Sequence, residues 1–276
     1  MNSPIPNLLY LSHPLINVIV AIYQALNLLH VPFALGFSII ALTILIRLVL
    51  YPLTSAQLKA SKKMQEITPH INRLKEKHKN DAKMLQAETM KLYKEFGVNP
   101  LAGCLPIVVQ LPVIWGLYSV LQDVVKYNTS AINKVLYSDS LKLTKQWDTT
   151  FFGLPLAQNP SHLFSTLGPA ILLIPVITGV LQLLQSKMIM VSSPKAGDKK
   201  VEVKKDEKKS EDFATAFQTQ SLYIFPIMIG FFSYNFPIGL SLYWNTFTIF
   251  GIIQQYKISG LGGLKDWIEK INGKKS

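Results

Sequence analysis

Cysteine is all but missing from this chain of 276 residues. The single one, Cys104, excludes a disulfide framework and any metal site built on cysteine. Charge is scarce as well: Asp, Glu, Lys and Arg together make up 16% of the residues, and hydrophobic residues make up 49%. An average globular chain carries roughly 25% charged residues, so there is too little charge here to cover a soluble surface. The scarcity is uneven. No Lys, Arg, Asp or Glu occurs from Met1 to Ile46, and none from Phe213 to Tyr256. Uncharged runs of that length are bilayer-spanning material. No internal repeat, collagen period or secretory signal with a basic leader is visible.

What is present sorts by sidedness. The reading is an all-α membrane protein with five transmembrane helices. Span one covers 33–53, span two 99–124 and span three 163–186. The uncharged 44 residues from Phe213 to Tyr256 split at Asn235-Phe236-Pro237, so 217–256 holds spans four and five as a hairpin. The excess of basic over acidic residues, 28 against 16 and a net charge of +12, is distributed by loop. Ten basic residues lie in 54–98, eight in the 187–212 stretch and five after Tyr256, against four in 125–160 and none before Arg47. Lys and Arg stay on the cytoplasmic side of short loops, which puts the N-terminus outside and the C-terminus inside. The same segregation excludes specific nucleic-acid recognition, which gathers charge on one folded face.

The segments outside the spans read as follows. Residues 1–32 form an outer interfacial amphipathic helix, with His13, Asn17, Gln24 and Asn27 making a wet stripe on an apolar cylinder. Residues 54–98 form a cytoplasmic helical hairpin: Leu58, Ile67, Ile71 and Leu74 recur near helical spacing, His78-Lys79-Asn80-Asp81 breaks the pattern, and Gly97 suits a helix end. Residues 125–162 are an outer loop, 187–216 a cytoplasmic disordered loop whose lysine- and acid-rich core is 194–212, and 257–276 a cytoplasmic tail.

Arg47 is the residue that demands an explanation, because a charge inside a span costs at least ~2.5–3.5 kcal/mol. It lies five residues from Pro52, ~7.5 Å below the helix end, within reach of snorkelling. Gln182 sits at the same depth, counted from Lys187. Gln110 and Asn245 are each eleven residues from their cytoplasmic ends, ~16 Å deep. Thr43 is one turn outward from Arg47 on the same face. Strongly polar side chains of four spans therefore share the inner and middle bilayer, and none is a carboxylate. Taken singly, each amide is as well explained by an interhelical hydrogen bond. Taken together, they describe a hydrophilic groove open to the cytoplasm. Prolines 106, 112, 169, 175 and 226 kink the spans. Aromatic and Met residues gather in the last hairpin, at Phe225, Met228, Phe231, Phe232, Tyr243 and Trp244.

Four stretches resemble the YidC (Oxa-type) membrane protein insertases: IALTILIRLVLYPLT at 40–54, NPLAGCLPIVVQLPVIWGLY at 99–118, FFGLPL at 151–156 and FPIGLSLYWNTFTIFGIIQQ at 236–255. Their order, the five-span plan and the basic hairpin match too, over roughly residues 30–257. The resemblance implies that Arg47 is the groove arginine. It also implies that Ile114, Trp115, Tyr243 and Trp244 contact an entering substrate helix. The large outer domain of many Gram-negative members is missing, as is an N-terminal lipobox cysteine. The tail gives no support to a long ribosome-binding extension.

The function expected is insertion and folding of short or single-span membrane proteins, with no bond made or broken, hence no enzyme, no cofactor and no metal. Its partners are nascent or newly made membrane proteins and the lipid bilayer, with the ribosome and a Sec translocon as further candidates. The membrane is a bacterial inner (plasma) membrane or, as the alternative, a thylakoid. A secondary transporter or channel for a small solute competes, but five unequal spans show no repeat. An intramembrane protease needs paired catalytic groups within the bilayer; histidines 13, 30, 70, 78 and 162 all lie outside or at the edges of spans, and Asp123 is alone at an interface.

Overall fold

The structure is a computed structural model that describes residues 9–79, 81–97, 116, 118, 129–189, 211–271 and 273. It is mostly helical, and it divides into two compact units. Unit 1 takes in the chain up to Leu50, Val108–Gln182 and Pro226–Phe250; unit 2 takes in Tyr51–Ile107, Leu183–Phe225 and the chain from Gly251. Span two falls outside the described residues except at Gly116 and Tyr118, and so does most of the lysine-rich loop.

Unit 1 opens with α1, Leu9–Leu28, and α2, Ala34–Val49. The Val31 amide reaches back to the Leu26 carbonyl at 3.0 Å and that of His30 to Asn27 at 3.0 Å. His30 adopts φ 55, so α1 closes with a Schellman turn in which histidine takes the place that glycine usually holds. The helix α2 stops at Val49, four residues short of the expected end of span one. Pro52 lies two residues past the break at Leu50, and it has no amide hydrogen to give the Leu48 carbonyl.

The segment expected as an outer loop is folded. It contains α5, Thr129–Asn133, a 3-10 turn at Asp139–Leu141, and an antiparallel pair of β1, Thr150–Phe151, with β2, Leu154–Pro155. Phe152 and Gly153, at φ 50 and φ 80, form the two-residue turn between the strands. Positive φ at both positions marks a primed turn, which matches the twist of a hairpin. Then come α6, Pro160–Leu167, a 3-10 turn at Gly168–Leu172, and α7, Leu173–Ile189. Two more helices follow, α8 at Glu211–Asn235 and α9 at Ile238–Ser259. The start of α8 at Glu211 shortens the expected 187–216 loop, because nothing from Phe213 to Phe225 breaks a helix.

One apolar cluster holds unit 1 together. Ile19, Leu35, Ile39, Leu42, Trp147, Leu156 and Tyr243 are at its centre. The stripe on α1 that the sequence marks as wet is partly covered. Asn17 Nδ2 donates to the Val135 carbonyl at 3.0 Å, and its Oδ1 accepts from the Tyr137 amide at 2.7 Å. Gln24 Nε2 donates to the Leu141 carbonyl at 2.8 Å. Irregular backbone buried against a helix needs partners, and these amides supply them. Burial also pushes the nearby Tyr23 hydroxyl above its ordinary pKa.

Pro160–Ile189 is, among the described residues, the one continuous helical stretch long and apolar enough to cross a membrane alone; Ala34–Val49 and Tyr51–Lys77 pass that test as a pair. Between α7 and α8 in unit 1, a Cβ on Gly230 would lie 3.2 Å from the Pro175 carbonyl oxygen, and one on Gly179 3.4 Å from that of Pro226. Small residues there let the two backbones approach.

Unit 2 holds α3, Tyr51–Lys77, and α4, Ala82–Glu95. Asp81 caps α4 by accepting from the Met84 amide at 2.9 Å, and Gly97 follows at φ 60. His70 and Phe96 bring the two arms together with ring centres 5.5 Å apart. A last helix, α10, spans Leu264–Ile271.

Candidate functional site: a buried arginine in unit 1

Arg47 lies in the last turn of α2 and is 5% exposed. Its guanidinium carbon stands 3.4 Å from the centre of the Phe247 ring and 5.8 Å from that of Phe250. Nη2 donates to the Phe247 main-chain carbonyl at 2.6 Å. Nε is buried and has no hydrogen-bond partner among the described residues. Lys142 pairs with Asp139, and among the described residues no carboxylate forms an ion pair with Arg47. An aromatic face and one carbonyl are modest compensation for a desolvated cation.

The remaining expected residues are distributed as follows. Thr43, 1% exposed, turns back on its own helix and donates to the Ile39 carbonyl at 2.6 Å. Gln182, 8% exposed, accepts a hydrogen bond from Trp244 Nε1 at 3.1 Å. Tyr243 is 1% exposed and lies in the apolar cluster, its ring 5.8 Å from that of Phe247. Asn245 keeps a buried Oδ1 without a described partner. At 3.6 residues per turn, Asn245 is about 160° round α9 from Phe247, so it and Arg47 belong to opposite flanks of that helix. Gln110, Ile114 and Trp115 lie outside the described residues.

Two groupings escape the sequence reading. Phe247 and Phe250 are the partners of Arg47. Phe250 lies six residues before Tyr256, close to the depth of Arg47, so the depth count applied to aromatics as well as amides would have found it. The other grouping is a chain of buried hydroxyls, with Ser233 donating to Thr178 at 3.2 Å and sharing a 2.9 Å bond with Ser241. Such hydroxyls hold apolar helices together. Outward, Phe225, Met228, Phe231 and Phe232 are all exposed. Among the described residues no cluster of His, Cys, Asp or Glu offers a metal site.

A helical stretch long and apolar enough to cross a membrane, with a cation desolvated among neighbouring helices, is the arrangement of a helical membrane protein. The sequence profile of the family described as 60Kd inner membrane protein matches residues 25–261. The membrane protein insertase YidC of Fusobacterium nucleatum is 34% identical over 227 residues, 82% of this chain and 87% of that protein. The ALBINO3-like protein 1 of Arabidopsis thaliana chloroplasts is 31% identical over 258 residues, 90% of this chain and 48% of that one. A crystal structure of an active YidC insertase, with its first transmembrane domain resolved, superposes with a TM-score of 0.54 at 27% identity, covering 88% of this chain and 46% of the crystallised one. This chain therefore belongs to the YidC family of membrane protein insertases.

Proposed function

We propose that this protein receives an acidic, hydrophilic segment of a short or single-span client at Arg47 and releases the client's apolar helix into lipid. The observation that carries the reading is the buried guanidinium with an unpartnered Nε and no described carboxylate. A cation desolvated without an anion is a poor structural element but a good receptor for one. The proposed architecture is the five-span plan with the N-terminus outside, the 54–98 hairpin in the cytoplasm, and a hydrophilic groove open to that side. Thr43, Gln110, Gln182 and Asn245 line the groove with Arg47. Because Arg47 and Asn245 flank α9 on opposite sides, the groove divides around that helix rather than forming one row. Ile114, Trp115, Tyr243 and Trp244 guide the client helix; Tyr243 reaches it only when its cover in the apolar cluster opens.

Burial of the client's apolar surface in lipid drives the process, at about 25 cal/mol per Å², and no bond is made or broken. Newly made membrane proteins are the clients, with the ribosome and a Sec translocon as candidate co-workers. The compartment is the bacterial plasma membrane, with the thylakoid of a plastid as the alternative. The test replaces Arg47 with Ala, and separately with Lys, in cells depleted of their own insertase. Insertion of an acidic-tailed client falls at least tenfold in the Ala variant. Undiminished insertion there removes Arg47 from the mechanism. Rescue by Lys assigns the role to charge alone; failure of Lys assigns it to the planar guanidinium as well.

A further inference from the structure

The segment after α9 has no part in the client route, yet it is built as an amphipathic device. Its eight helical residues, LKDWIEKI, place Leu264, Trp267, Ile268 and Ile271 at i, i+3, i+4 and i+7, one apolar face in two turns. Leu264 is buried at 7% exposure, while Trp267 and Ile268 stand 43% and 40% exposed. Lys265 and Glu269 are exposed beside them. From Tyr256 onward the sequence holds five lysines against Asp266 and Glu269.

The position of this helix is set by backbone. Gly260 at φ 73 and Gly262 at φ 51 turn the chain sharply away from α9. Gly262 packs directly onto the Met188 carbonyl at the end of α7, where any Cβ would collide with it. Gln255 Nε2 donates to that same carbonyl at 3.4 Å, so within unit 2 the ends of α7 and α9 are level. Tyr223 of α8 joins them through its hydroxyl, which accepts from Lys187 Nζ at 3.2 Å. Exposed Tyr223 and Tyr256 beside Lys187 and Lys257 make the aromatic and basic fringe that membrane helices carry at a lipid–water boundary.

We infer that α10 is a surface anchor, lying in the headgroup layer of the inner leaflet with Trp267 and Ile268 inserted and its lysines on anionic phospholipid. The inference rests on the proposed five-span topology for the side on which it lies. Three things favour lipid as the occupant. The helix starts five residues after the last residue of α9, its apolar pair is exposed, and the lysines that flank it, Lys257, Lys274 and Lys275, give the segment a positive excess that complements an anionic surface. By this inference α10 braces the ends of α7 and α9 against the bilayer.

The test uses the full-length protein with Cys104→Ser and a single probe cysteine, Ile268→Cys or Glu269→Cys, labelled with an environment-sensitive dye. The label is read in vesicles of phosphatidylcholine with and without phosphatidylglycerol. A lipid-borne nitroxide quenches the label at 268 several-fold more than that at 269, and aqueous iodide does the reverse. Adding phosphatidylglycerol widens the gap, and Lys270→Gln with Lys274→Gln narrows it again. Equal iodide quenching at both positions overturns the inference, since the helix then stands in water. So does resistance at 268 to both quenchers, which means that protein covers it. A Gly273→Cys variant labelled with a membrane-impermeant maleimide in sealed cells reports the side separately. Labelling from outside sinks the proposed topology, while the depth readings still decide whether α10 inserts.

Discussion

The two units of this protein are held together by different chemistry. Unit 1 is centred on an apolar cluster in which Ile19, Leu35, Ile39 and Leu156 have no exposed surface. Among its described residues unit 2 buries few apolar side chains; Ile67, Met188 and Leu264 are among them, and α4 buries none. What it buries instead is amide: Gln57, Gln254 and Gln255. Gln254 Nε2 faces the Tyr51 carbonyl at 3.2 Å and the hydroxyls of Thr54 and Ser55 at 2.8 and 3.0 Å. The cluster resists opening in proportion to the area it removes from water. A junction made of a few hydrogen bonds gives each about 1 kcal/mol net and yields one bond at a time. The unit carrying Arg47 is thus built to be rigid, and the basic hairpin is built to open.

The strongest way to break that contrast is Trp147→Ala. Trp147 is 3% exposed and meets Tyr23 edge to face, with ring centres 5.3 Å apart. Removing a buried Trp costs ~3–5 kcal/mol, so thermal unfolding of unit 1, followed by exchange of the amides of α1 and α2, should shift by that amount. A smaller loss than that of a surface substitution would show that the cluster is not the seat of stability. Gly36→Ala comes next. A Cβ there would run into the Phe151 ring, and forcing that ring out costs ~1–3 kcal/mol. The readout is again unit 1 exchange, with α4 unchanged.

These two positions also show what a sequence can and cannot say. The helices of this chain are legible because uncharged runs and basic loops are long-range patterns that survive without coordinates. The packing of residues 129–157 is not. Trp147, Leu143 and Leu156 are scattered among polar residues with no period of two or 3.6, and only their meeting with α1 makes them a core. Likewise Asn17 and Gln24 look wet because an amide on a helix says nothing of whether water or backbone will meet it. Arg47 was legible as an anomaly, since any charge in an apolar run is one. Its partners were not, because the Phe247 carbonyl is an acceptor that no side-chain alphabet records.

On the unit 2 side, Gln254→Leu keeps volume and removes the donor. It costs ~1–3 kcal/mol, the desolvation of acceptors left without a partner. The loss should be confined to the start of α3: faster exchange over Tyr51–Leu58, with no shift in the transition that Trp147 controls. If Gln254→Leu lowers the main transition as far as Trp147→Ala does, the distinction between a rigid unit and an opening one fails.

The smallest effect is also the most discriminating. Asp81 stands outside any core and does one thing in the structure, accepting the Met84 amide to cap α4. Losing an N-cap costs about 1 kcal/mol, close to a fivefold rise in local opening. In a protein stabilised uniformly, a change of that size would disappear into the global transition and leave no local trace. Here α4 buries no residue, so its opening is not coupled to a core, and the amides of Ala82–Glu95 in Asp81→Ala should exchange about fivefold faster. Asp81→Asn, which keeps a side-chain acceptor, should restore the parent rate. Faster exchange in α4 that Asn does not rescue would assign the effect to lost charge at the helix start rather than to the cap. Unchanged exchange in α4 would mean that something other than its own cap and contacts holds the arm closed.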